Sequence, residues 1–135
     1  MKTLLFPMAA AVGISMLLTP GQLYAHHAFA AEFDGQKKVT LKGKIVKMDW
    51  FNPHAWLYIS VKAADGTDQT WALEFGSGTS LIKRGWRKDD LPVGDEVTVD
   101  GYLARNGSRT ANVARVVMAN GKALFATPAP DAPTN

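Results

Sequence analysis

Three histidines and one dense group of aromatic side chains are the residues of this chain best equipped for chemistry. His26 and His27 are adjacent, and His54 sits in the segment Trp50-Phe51-Asn52-Pro53-His54-Ala55-Trp56-Leu57-Tyr58. An N-terminal His offers its α-amine and an imidazole nitrogen to one metal ion. With further imidazoles this becomes a nitrogen-rich set suited to Cu(II), which heads the divalent affinity order and prefers tetragonal nitrogen ligands. Copper is therefore the candidate cofactor, with His26, His27 and His54 as its ligands. Glu32, Asp34 or Asp49 could complete the set, and Met48 and Met118 are the methionines available to Cu(I). The bland alternative is that two histidines near a terminus are only solvated, since no CxxC, HExxH or other spaced ligand motif occurs.

The rings suggest a second chemistry. Trp50, Phe51, Trp56 and Tyr58 could stack on a flat ligand, a sugar or a peptide side chain, with Asn52 and His54 as polar contacts. Arg105 and Arg109 bracket the turn at Asn106-Gly107 and would add charge beside them. The structural alternatives are that Trp50 and Trp56 cover the end of a core, and that Asn52 and His54 bond the backbone around Pro53. Catalysis has less to stand on, because there is no cysteine and no G-x-S-x-G. Glu74, Asp89, Asp90 and Asp95 fall at a strand end and in turns, where carboxylates usually solvate or cap. The basic stretch Lys83, Arg84, Arg87 and Lys88 around Trp86 could attract an anionic lipid or polymer, or simply solvate a helix end.

These residues need a scaffold and a compartment. The chain has 135 residues, 47% of them apolar and 20% charged, which suits one soluble domain held by packing alone. Lys2, the apolar run from Leu4 to Leu18 and the small-residue sites that follow form a secretory signal over residues 1–25. The run is short of the roughly 20 residues that span a bilayer, so a periplasmic protein with no stable membrane span is expected. Cleavage after Ala25 would leave His26 first, whereas cleavage after Ala30 would discard both histidines; the first is favoured. The remainder carries 14 basic and 12 acidic residues, a net of +2. Nucleic acid is thus not an expected partner, and a small ligand or another envelope protein is.

Val39, Leu41, Gly43 and Ile45 alternate with Thr40, Lys42 and Lys44, the pattern of a half-buried strand. After Ile45 the apolar set continues out of phase at Val46, Met48 and Trp50. That slip predicts a β-bulge, with Gly43 tolerating the bend. Further strands are predicted around Ala55–Val61, Gln69–Phe75, Val97–Leu103 and Ala111–Met118, with a short Leu124-Phe125 edge. Val113 and Arg115 fall in one alternating row of the fifth. Residues 77–84 read as a two-turn helix with a Ser or Thr cap and Gly85 as its stop. Three strands, a helix and two strands, led by a long bent first strand, give the order of an OB-fold. The expected class is therefore all-β, a small five-stranded Greek-key barrel with one helix between strands 3 and 4. The predicted divisions are an N-terminal segment at 26–37, the barrel domain at 38–126 and a disordered Pro-rich tail at 127–135.

The segments HHAFAAEFD from His26, VTLKG from Val39, WFNPHAW from Trp50, KRGW from Lys83 and GDEVTVDGY from Gly94 resemble a family of small exported bacterial proteins classed only as a domain of unknown function. The resemblance spans nearly the whole mature chain and implies export and the His pair at its start. It supplies no reaction or ligand. In size and compartment the chain also looks like small OB-fold copper chaperones of the periplasm, without their clustered methionines.

Overall fold

The computed structural model describes residues 28–126. The signal segment, both proposed ligands His26 and His27, and the Pro-rich tail lie outside these residues. After helical residues 28–32 come strands β1 (Phe33–Asp49), β2 (Trp56–Lys62) and β3 (Asp68–Glu74). Helix α1 (Gly78–Lys83) follows, then β4 (Glu96–Ala104), β5 (Thr110–Met118) and β6 (Ala123–Phe125). The protein is mostly β, with six strands where five were predicted, because the Leu124-Phe125 edge pairs with β5 through Val116↔Leu124. No helix among the described residues is long and apolar enough to cross a membrane.

The strand order is β3-β2-β1-β4-β5-β6, and β3 also pairs in parallel with β5. Each of the first five strands therefore has a partner on both sides, which satisfies the backbone groups that an open edge would leave bare. That parallel contact sets Glu74 beside Asn112. It is the pairing that positions the site described below.

β1 begins at Phe33, six residues before the alternation at Val39, with an irregular stretch between the pairs Phe33↔Ala104 and Lys38↔Tyr102. The predicted bulge is present between Ile45 and Lys47. Its extra residue is Val46, which is exposed instead of continuing the apolar row. Gly43 serves a different need from the one expected. A Cβ there would lie 2.4 Å from the Ser60 carbonyl oxygen, so only glycine lets β1 and β2 approach so closely. On β5, strict alternation would have put Arg115 inside. A register shift between Gly101↔Val113 and Asp100↔Arg115 turns Val116 inward instead, and Arg115 pairs with Asp100 at 2.9 Å. Desolvating an unpaired guanidinium costs far more than one bulge.

Ser77 caps α1 by accepting from the Ser80 amide at 3.1 Å, and Gly85 ends it at φ +93°. The main core gathers Leu57, Ile59, Leu73, Phe75, Leu81, Val97, Val99, Val113 and Val116, all essentially inaccessible. Each such side chain contributes about 1.5–3 kcal/mol by leaving water. Trp86 belongs to this core. It meets Phe75 edge-on at 5.2 Å and donates from Nε1 to the Phe125 carbonyl, so its indole is not on the surface of the basic stretch. A second, smaller cluster joins Phe29, Phe33 and Tyr102. It binds helical residues 28–32 to β4.

Candidate functional site

The outer rows of the strands carry polar residues because the inner rows face the core. Register places Trp56 opposite Glu74 and Tyr58 opposite Ala72, while Asp49 and Lys47 flank them from β1. Helical residues 28–32 and the β4–β5 turn rise beside the Trp56–Glu74 end of this face. Between them lies a cleft of about 460 Å³ whose lining includes Glu32, Phe33, Trp56, Glu74, Arg105, Asn106, Ser108 and Thr110.

Glu74 is the unusual member. Its place at a strand end predicts a solvated carboxylate, yet it is only 5% exposed, the one buried charged residue among those described. Its Oε1 lies 2.7 Å from Nδ1 of His54, whose side chain is half-exposed. The same nitrogen is 3.2 Å from the Phe75 carbonyl. With Glu74 ionised both neighbours are acceptors, which places the proton on Nδ1 and leaves Nε2 free of either partner. Burial holds the Glu74 carboxyl above the ordinary range; His54 pulls it down and the negative charge of Glu32 adds to the rise.

Arg105 organises the wall. Its amide donates to Glu32 O at 2.8 Å, its Nε to Ala30 O at 2.7 Å, and its guanidinium lies 3.7 Å from Asp34. On the rim, Ser108 N donates to Asn106 Oδ1 at 3.0 Å and Ser108 Oγ to Thr110 Oγ1 at 3.0 Å.

Of the ring, amide, imidazole and arginine contacts expected from sequence, Trp56 and Arg105 line the cleft and His54 touches it through Glu74. The others are elsewhere. Trp50 packs against the core, and the Asn52 side chain is engaged on both sides by Thr79, at 3.2 and 3.3 Å. Phe51 is 61% exposed, and its carbonyl accepts from Gly78 N. Tyr58 is half-buried under the Lys47 ammonium, 4.4 Å above its ring. Arg109 is exposed and contributes its carbonyl to Ala72 N. Among the described residues no group of three or more His, Cys, Asp or Glu side chains is placed to hold a metal ion, and His26 and His27 are not among those residues.

Glu74, Asn106, Ser108 and Thr110 are cleft contacts that the sequence does not announce, and Glu32, a candidate there only for the copper set, joins them. One local signal existed: Glu74 interrupts Trp71-Ala72-Leu73-Glu74-Phe75, on the row that faces Trp56. Residues 15–113, well over half of the chain, match the model described as a family of unknown function (DUF6152). No curated protein matches the chain.

Proposed function

The chain belongs to the DUF6152 family, and from that premise we propose that it is an exported periplasmic module that binds a small ligand in the cleft floored by Glu74 and Trp56. The observation that carries this reading is a carboxylate only 5% exposed at the base of a 460 Å³ hollow. Charged residues are rarely buried without a specific reason, and replacing a buried ion pair by uncharged groups is often neutral or stabilising. The volume is in the range of small-molecule sites, and aromatic, amide and hydroxyl groups converge on it.

The ring of strand pairings and the helix between β3 and β4 support an OB-type Greek-key barrel extended by β6. Such barrels present ligands to the face of their second and third strands, beside the loops after the first and fourth. Trp56 lies on that face, and Asn106 and Ser108 lie on one of those loops. Export with cleavage after Ala25 is supported by Phe29, which stacks on Phe33 at 5.6 Å and meets Tyr102 at 6.0 Å. A cut after Ala30 would remove this ring and the carbonyl that Arg105 grips.

A second reading, a copper protein using His26, His27 and His54, is favoured by one observation. Glu74 and the Phe75 carbonyl fix the His54 imidazole through Nδ1, the support that metal-binding histidines commonly receive, and Nε2 is then the coordinating atom.

The test is the protein recovered from periplasmic extract. Intact mass should give His26 as its first residue. Titration with amines, sugars and short peptides should move the NMR signals of the Trp56 indole and of Asn106, Ser108 and Thr110 together. Shifts confined to Lys42, Lys44 and Ser60 would contradict the cleft. A Cu(II) affinity weaker than about micromolar, or one unchanged in His54→Ala, would remove the copper reading.

A further inference from the structure

We infer that the ligand of this cleft is a small organic cation, a protonated amine on a flat apolar body, whose charge sits by Glu74 and Glu32 while its body lies along Trp56. The inference rests on the binding reading above and narrows it to a chemical class.

The charges around the cleft point this way. Glu74 and Glu32 both line it, and they are close enough for Glu32 to disfavour ionisation of Glu74. The only cationic side chain in the lining among the described residues, Arg105, is turned to the Ala30 carbonyl and to Asp34. His54 contacts Oε1 from outside the lining. Among the described residues an anion would thus meet two carboxylates with no free cationic side chain in the lining, whereas a cation relieves their mutual repulsion.

The accounting of polar atoms agrees. Among the described residues no buried side-chain nitrogen or oxygen lacks a partner. Oε1 of Glu74 faces His54, no hydrogen bond to Oε2 is present among the described residues, and the Glu74 side chain lines the cleft. An acceptor held in a partly dry wall calls for a donor, and an ammonium offers three. The half-buried Trp56 indole, paired across the strands with Glu74, adds a π surface of the kind that attracts organic cations. The hydroxyls of Ser108 and Thr110 and the amide of Asn106 supply further polar contacts at the rim.

Three near-isosteric probes separate the alternatives: 2-phenylethylamine, 2-phenylethanol and 3-phenylpropionate, each titrated into the mature protein while the Trp56 indole N–H is followed by NMR. The amine is expected to bind at least about tenfold more tightly than the alcohol. Glu74→Gln should weaken the amine by about tenfold and leave the alcohol within about twofold. Glu32→Gln, at an exposed position where folding is not at stake, should weaken the amine by about threefold, since solvent screens its charge. If the alcohol or the propionate shifts Trp56 with affinity equal to that of the amine, the cationic class is overturned and the cleft stands as a binding site. If none of the three shifts it at roughly 10 mM, beyond the weakest useful affinity, the cleft itself falls with the inference.

Discussion

Among the described residues, two hollows of about 460 Å³ each differ in what their charges do. One is the cleft over Glu74. The other lies on the outer surface of β1 and β2 and is lined by Lys42, Gly43, Lys44, Ser60, Lys62, Asp68 and Glu96. In the second, Lys42 pairs with Glu96 at 3.0 Å and Lys62 with Asp68 at 2.9 Å, all with well-exposed side chains. Such pairs gain little and are easily replaced by water. In the first, a carboxylate is nearly removed from water and, among the described residues, is met by one imidazole, that of His54. Equal volumes therefore do not make equal sites. The difference lies in the desolvated, incompletely satisfied charge.

The comparison can be broken or sharpened by substitution. The largest effect is expected at Gly43, on the second hollow. An alanine Cβ would press on the Ser60 carbonyl oxygen, so Gly43→Ala should cost about 2–4 kcal/mol in urea unfolding while the folded protein keeps its affinity at the cleft. A loss below about 1 kcal/mol would mean that β1 and β2 can part at no great cost.

Glu74→Gln comes next. Because the folded-state pKa of Glu74 is raised, the native state gains from protonation below the unfolded value and loses that gain as pH rises through the folded value. The wild-type protein should therefore lose stability across that window and the Gln variant should not. Its Tm is expected to be higher by about 2–5 °C near pH 7.5 and equal to wild type near pH 4. A lower Tm at both pH values would show that the His54 contact outweighs the burial of the charge.

Arg105→Ala should cost about 1 kcal/mol, since it removes the bond to Ala30 O, and it should speed hydrogen exchange in residues 28–33 more than elsewhere. Uniform exchange would detach Arg105 from that role. The smallest effect is expected from Lys62→Ala, within about 0.5 kcal/mol and with no change in ligand binding. Altered binding would promote the second hollow to a site.

Much of the scaffold was legible because its signals are local. The slip after Ile45 marked a bulge, Ser77 and Gly85 marked the ends of α1, and alternating apolar residues marked the strands. The departures share a cause: each depends on pairing between residues distant in sequence. Arg115 faces outward because of a register shift against β4, and Trp86 is buried because β6 supplies a carbonyl across 39 positions. The Phe29–Phe33–Tyr102 cluster unites residues 29 and 102, so residues 29–33 are part of the packed structure. The site follows the same rule. His54, Trp56 and Arg105 were recognisable as chemical groups, but Glu74 acquires its role only when β3 lies between Trp56 and Asn112. Residue types mark the rings before and along β2, and the pairing of β3 with β2 and β5 brings Glu74 beside them.

The most direct test follows the Glu74 side-chain carboxyl by ¹³C NMR through a pH titration, with and without saturating 2-phenylethylamine. The expected result is a midpoint above the ordinary glutamate range in the free protein, brought lower by the amine. A midpoint inside that range, unmoved by the amine, would contradict a buried carboxylate that awaits a cationic ligand.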